Sequence, residues 1–301
     1  MDKYNNRETI KKSTFFSTFF TTTKDGKSKF SYRMKRWILV ISVHLLFFLS
    51  FFIDLQLLEG TFSGSRFLGF HLIDPFMTMQ MFFATFHMPI NIIIGTSTII
   101  IVYVLVGGRS YCAWACPYGI LSEIGEKWHD TLVSKKIIKS RKFDHRVRHI
   151  FWAMFLLLSL TSGFLVFETF NVVGIMSRAI VYGWSVALIW VVVVFAMEVF
   201  FSRRAWCTYI CPIGTTYGYL GKVSALRVEW NNSCDHCMVC HDVCFENQVL
   251  EIVKAKYDKQ REEKGITKEY ITGADCTLCG RCVDICHTDA LNFDFRLKSL
   301  V

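Results

Sequence analysis

The sequence predicts a membrane α-helical protein, with four transmembrane helices arranged as two parallel hairpin repeats, followed by a small α+β domain crowded with cysteine. Three observations carry that expectation: four long apolar runs free of Lys and Arg, a cysteine motif that occurs twice at equivalent places, and eight of the 12 cysteines lying after residue 230. With 52% hydrophobic residues and 28 phenylalanines, the chain is too apolar for an ordinary soluble protein.

A helix that crosses a bilayer core needs about 20 mostly apolar residues. The runs Trp37 to Ile53, His87 to Val106, His149 to Phe167 and Ala179 to Phe200 come close to that length. Buried helices of a soluble protein would keep a polar outer face, and these runs have none. The first run exceeds a signal-peptide core and leads into Asp54 and Glu59 rather than a small-residue cleavage site, so it is expected to stay as a helix. Upstream, Ser13-Thr14-Phe15-Phe16 recurs as Ser17-Thr18-Phe19-Phe20, a biased segment with no assigned role.

Basic residues set the orientation. Lys24, Lys27, Lys29, Arg33, Lys35 and Arg36 precede the first run, and nine more Lys and Arg lie between the second and third. The opposite connections hold only Arg66 and Arg178, so both termini are expected on the cytoplasmic side of a bacterial inner membrane. The net charge of +9 is mostly topology and makes no case for nucleic-acid binding. The expected organisation is a cytoplasmic segment 1–35, a membrane domain 36–230 and a cysteine-rich domain 231–301.

Helix two runs into Cys112-Ala113-Trp114-Ala115-Cys116-Pro117-Tyr118-Gly119 and helix four into Cys207-Thr208-Tyr209-Ile210-Cys211-Pro212-Ile213-Gly214, both Cys-x-x-x-Cys-Pro-x-Gly. Each follows an out-to-in helix and an arginine, Arg109 in one copy and Arg203 with Arg204 in the other, as parallel repeats would. Convergence of Cys112, Cys116, Cys207 and Cys211 at the cytoplasmic face would suit a metal or a further cluster, a redox-active pair, or docking of the tail. Thiol chemistry alone leaves these uses and a purely structural one open.

In the tail, Cys234-x-x-Cys237-x-x-Cys240-x-x-x-Cys244 and Cys276-x-x-Cys279-x-x-Cys282-x-x-x-Cys286 are two copies of the bacterial [4Fe-4S] ligand run. In two-cluster ferredoxins the fourth cysteine crosses to the other cluster. That pattern assigns Cys234, Cys237, Cys240 and Cys286 to one cluster and Cys276, Cys279, Cys282 and Cys244 to the second. A zinc site would pair two Cys-x-x-Cys units instead. Phe245 and His287 stand where proline usually follows the fourth cysteine, and His236, His241 and His287 read as polar loop residues. The charged insertion around Lys254 to Lys264 reads as a solvated hairpin or helix. Ala290 to Phe295 alternates like a closing strand.

Together these features resemble the NapH family, the membrane quinol dehydrogenase component of periplasmic nitrate reductase systems. The resemblance rests on the four helices, the pairs Cys112/Cys116 and Cys207/Cys211, and the two tail motifs, from about residue 33 onward. A similar membrane core occurs in proteins of nitrous-oxide reduction, methylamine utilisation and oxidase assembly. The resemblance implies a quinol dehydrogenase subunit of a hetero-complex that oxidises quinol, menaquinol above all, during nitrate respiration. Electrons would pass through a periplasmic iron-sulfur protein and a multihaem cytochrome to a terminal reductase. The alternatives are a maturation factor that reduces a metal or thiol for another enzyme, the equivalent electron donor for nitrous-oxide reduction, and a structural membrane anchor for a partner complex.

Quinol oxidation needs a proton-accepting group at an apolar slot. On the outer side the candidates are His71, Asp74, His87 and Glu168; on the inner side His44 and Glu198 lie inside apolar runs, where ionisable residues are rare and usually partnered. Contact between His44 and Glu198 is one expectation; a buried pair that only fixes packing is the plain reading of both.

Overall fold

The computed structural model describes residues 20–22, 28–52, 58–61, 64–67, 70–141, 143–257, 261, 263 and 265–296. The repeated Ser-Thr-Phe-Phe segment up to Phe19 and part of the charged insertion therefore lie outside the described residues. Two short strands, β1 (Phe20–Thr22) and β2 (Ser28–Phe30), pair antiparallel ahead of helix α1 (Tyr32–Phe52). Ser31 starts α1 by accepting the Met34 amide on its hydroxyl.

Between the first two apolar runs the chain forms an antiparallel meander, β3 (Leu58–Thr61), β4 (Gly64–Phe67) and β5 (Phe70–Ile73). Then α2 (Pro75–Thr85) is capped by the Asp74 carboxylate, with proline at its first position. The first repeat continues as α3 (Ile90–Val106), α4 (Ser110–Trp114) and α5 (Pro117–Ser134). After α6 (Val147–Ser162) and α7 (Val166–Phe170), the second repeat runs through α8 (Val172–Tyr182), capped by Asn171, and α9 (Leu188–Phe200). A π-helical turn at Trp206–Ile210 and α10 (Pro212–Gly221) complete it.

Each repeat is thus a short helix, a longer apolar helix, a cysteine-bearing turn and a proline-started helix, richer than the simple hairpin expected. The halves interlock. The apolar helix α9 packs on α5 of the other half, and α3 packs on α10. His129 bonds the Val199 carbonyl, and the amide of Ala225 bonds the Val104 carbonyl, two contacts at closely matching places in the two halves.

Among the described residues no helix is long and apolar enough to cross a membrane by itself. Helix α3, with 17 residues, extends about 25 Å against a hydrocarbon core of about 30 Å. The fourth apolar run breaks at Gly183, whose φ is 92°, and the third stops at Gly163 with φ 69°. In α1 the first turns carry Arg33, Lys35 and Arg36.

Strand β6 (Leu226–Asn231) precedes the tail cysteines. This strand is central in an antiparallel sheet with β7 (Lys268–Tyr270) from the insertion and β8 (Leu291–Phe295), the closing strand. Short helices α11 (Val239–Val243) and α12 (Arg281–Asp284) follow the two cysteine loops. One core gathers Phe76, Tyr118, Phe167, Trp206 and Tyr217 around Cys116 and Cys211; a second gathers Val228, Trp230, Leu250 and Ile271 around Cys240 and Cys282.

Candidate functional site

The tail loops fold alike because their backbones turn alike. His236 and Met238 in the first, and Leu278 and Gly280 in the second, take left-handed conformations at matching positions. Such turns aim amide hydrogens inward, and the amides of Val239, His241, Leu278 and Glu246 point at the sulfurs of Cys237, Cys240, Cys276 and Cys244. Gly280 is required for a further reason: a Cβ there would collide with the Cβ of Tyr32.

The eight tail thiols fall into two neighbouring sets. Cys240 lies beside Cys234, Cys237 and Cys286. Cys244 lies beside Cys276 and Cys279, and Cys282 joins them. A cavity lined by Cys244, Cys276, Cys279 and Cys282 with Val249, Leu250 and Leu278 marks the second set. Burial pushes the Cys240 and Cys276 thiols up to about 12. Four such thiols in one apolar space become thiolates together only around a cationic core, so the donor sets fit an iron-sulfur centre.

A third thiol group forms where the repeats meet. Cys116 lies beside Cys112 and Cys211, and Cys207 lies beside Cys116 and Cys211. The two halves match: Cys116 and Cys211 each precede a helix-starting proline, and each receives amides from its next residues, Tyr118 and Gly119 or Ile213 and Gly214. All four are soft donors with burial opposing their ionisation.

The quinol candidates do not gather at one point. Glu198 is fully buried, facing Tyr118, Ser122 and Arg204 beside Cys207, rather than facing His44. His44 is buried and turns Nδ1 to the Val40 carbonyl of its own helix. Glu168 accepts from Asn171 and lies near buried Asp74, whereas His87 is exposed. His71 sits in β5 with its side chain outside the described residues.

Sequence reasoning missed the joint between the helical domain and the tail. Glu123 accepts from Arg281 at 2.7 Å, Arg33 at 2.9 Å and Trp37 at 3.0 Å, with Arg36 at 3.3 Å. Glu126 accepts from Arg204 at 2.7 Å, Arg281 at 3.0 Å and also Arg203. Despite burial, these arginines hold both carboxyls well below the usual carboxylate range. On the other side Arg109 reaches Asp275 and Glu246, Arg148 pairs with Asp275, and His145 lies 3.3 Å from Glu246. The Asp284 carboxylate accepts the Tyr32 amide at 2.8 Å, binding the tail to the start of α1. The signal available was Arg281, a cation set inside a cysteine run.

A duplicated helical scaffold with paired thiols, joined to a domain of two four-thiol loops, defines an iron-sulfur protein of the electron-transferring ferredoxin type. A 4Fe-4S binding domain model matches twice, at residues 88–137 and 182–231, and a 4Fe-4S dicluster domain model matches residues 233–290. The ferredoxin-type protein NapH of Escherichia coli is 29% identical over 277 residues, covering 89% of this chain and 92% of its own. The methylamine utilization ferredoxin-type protein MauN of Methylorubrum extorquens is 32% identical over 248 residues, 81% and 82% of the two chains. MauN of Paracoccus denitrificans is 34% identical over 203 residues, 64% and 69%. The chain belongs to this family of NapH and MauN ferredoxin-type proteins. No solved structure matches it.

Proposed function

We propose that the protein is a membrane-embedded quinol dehydrogenase subunit that passes electrons from quinol through its thiol-bound centres to a partner redox protein. The observation that carries the reading is the nearness of three four-thiol groups, the two tail sets adjoining at Cys240 and Cys282 and Arg109 reaching from the Cys207 carbonyl to that of Asp275, beneath helices with apolar outer faces. Ile38, Leu45, Ile101, Leu157, Ile189 and Val192 are all exposed. Apolar surface spread so widely suits lipid contact. Helices broken at Gly183 and Pro89 suit a bundle in which pairs, rather than single helices, cover the hydrocarbon. Both termini then lie on the cytoplasmic side of a bacterial inner membrane.

In this reading Cys234, Cys237, Cys240 and Cys286 hold one [4Fe-4S] cluster, and Cys276, Cys279, Cys282 and Cys244 the other. Cys112, Cys116, Cys207 and Cys211 hold a third cluster or metal. When bound, these groups supply one-electron transfer. The chain's own residues aim amides at the sulfurs and keep water away from the buried sets. Glu198 is the inner-side candidate for receiving a quinol proton, because it lies fully buried beside Cys207 within reach of Tyr118 and Ser122. In this reading the electrons go on, through a periplasmic iron-sulfur protein and a multihaem cytochrome, toward a reductase such as nitrate reductase, with the methylamine utilization named for MauN as the other destination.

The test is anaerobic EPR with iron quantitation on the purified membrane protein, before and after a menaquinol analogue. About eight irons per chain with quinol-induced signals support the reading, and about twelve add a cluster at the paired motifs. Reducible clusters indifferent to quinol favour the maturation-factor reading, for which the converging membrane-edge thiols would handle the metal.

A further inference from the structure

We propose that electrons crossing between the helical domain and the tail pass through one tail set only, Cys244 with Cys276, Cys279 and Cys282, and that Arg109 and Arg204 position that set over the membrane-edge thiols. The inference rests on the cluster reading above.

The two arginines occupy equivalent places in the duplicated halves, three residues before Cys112 and before Cys207. Arg109, only 2% exposed, donates to the Cys207 carbonyl at 3.3 Å and to the carbonyl of Asp275, the neighbour of Cys276, at 3.3 Å. It also lies 3.6 Å from Glu246, two residues past Cys244. One side chain therefore spans from the backbone of the membrane-edge thiols to both arms of the second tail set. Arg204, from the other half, bonds Glu126 and lies over the ring of Phe245, 4.4 Å from its centroid. Trp114, between Cys112 and Cys116, donates to the Leu278 carbonyl at 3.0 Å.

The first set is held differently. Around it, His236 bonds the Val253 carbonyl and His287 pairs with Asp235 within the tail, and its one arm toward the helices, Asp284 two residues before Cys286, meets the Tyr32 amide of α1, a helix without cysteine. Electron transfer falls steeply with distance, so the clasped set is the junction. Each crossing moves one electron: the centre on one side is oxidised by one as the other is reduced by one, and no proton need move. Quinol, a two-electron donor, supplies the electrons, and an oxidised redox protein removes them. A fixed guanidinium beside a centre favours its reduced, more negative state.

The experiment is an anaerobic EPR redox titration of the full chain with iron analysis, comparing the unmodified protein with Arg109→Gln, Arg109→Lys and Asp235→Asn. The expected result is unchanged iron throughout. Arg109→Gln should move the midpoint of one tail signal to more negative potential and slow its reduction by quinol; Arg109→Lys should move it less. Asp235→Asn should move the other signal and leave that rate unchanged. A shift of both signals alike, or of neither, with iron retained, overturns the proposal. If Arg109→Gln loses iron, hydrogen exchange of Phe245→Leu decides: loosening of 244–246 and 273–282 with 234–243 unchanged supports it, and equal loosening of both loops overturns it. An unmodified protein without iron would instead sink the cluster reading on which this one stands.

Discussion

In the first half of the helical domain, α5 carries Glu123 and Glu126 toward the tail; 95 residues on, the equivalent positions in α10 are Gly218 and Gly221. The acids take Arg281 from the tail together with Arg33, Arg36, Arg203 and Arg204. The glycines let tail backbone approach instead. A Cβ on Gly221 would collide with the Gly273 carbonyl oxygen, and one on Gly218 would lie 2.8 Å from that of Ala274. One scaffold, used twice, therefore holds its cargo through acids of α5 that take tail arginine on one side, and on the other through close backbone contact beside the Arg109 and Arg148 pairs with Asp275. The same divergence appears deeper: Glu198 and Ser122 in one interlock correspond to Tyr103 and Tyr217, rings 4.8 Å apart, in the other.

Breaking the charged side should cost most. Glu126→Gln leaves Arg203, Arg204 and Arg281 without their shared carboxylate, and removing one member of a buried ionic group typically costs about 3–5 kcal/mol. The sign with pH follows from a depressed folded value. Such a glutamate adds stability that is fully present above its unfolded value of about 4.3 and is lost as pH falls through the folded value. The gap between native protein and variant in thermal unfolding should hold from about pH 8 to about pH 5 and narrow well below about pH 4. A gap that closed already near neutral pH would show that the carboxylate is not held ionised by its arginines.

On the glycine side, Gly221→Ala forces α10 and the 273–274 backbone apart, and overpacking of this kind costs about 1–3 kcal/mol. The expected sign is faster hydrogen exchange in both segments, with the Glu123 and Glu126 contacts intact. Exchange unchanged from the native protein would mean that the tail does not press on α10.

Much of this plan was legible in the sequence. Cysteine spacing announced the tail and its two four-thiol sets, and the repeated Cys-x-x-x-Cys-Pro-x-Gly located the duplication that the matches at 88–137 and 182–231 repeat. Helix lengths were less legible: hydropathy continues smoothly through Gly183 and Gly163, while the backbone turns there because glycine accepts positive φ at no steric cost. The two extra short helices start from Asp74 and Asn171 caps, local signals that the long apolar pattern hides. The joint was least legible. Glu123 and Arg281 stand 158 residues apart, and no local pattern links them. Glu198 was visible as an acid inside an apolar run, but its neighbours Ser122 and Tyr118 come from the other half, so its surroundings required the interlock.

The smallest expected effect concerns Phe245, which stands where proline usually follows the fourth cysteine. Its ring carries the Arg204 guanidinium, so the aromatic residue ties the loop to the helical domain and leaves the ligand run intact. Phe245→Leu keeps an apolar side chain at the cavity of the second thiol set and removes the ring face, a loss of about 0.5–2 kcal/mol. Double-mutant cycles with Arg204→Lys give the measurement. A coupling energy in that range would place part of the tail's attachment on the second half. Coupling near zero would leave the acids of α5 as its main hold, and the symmetry between Arg109 and Arg204 would then be positional only.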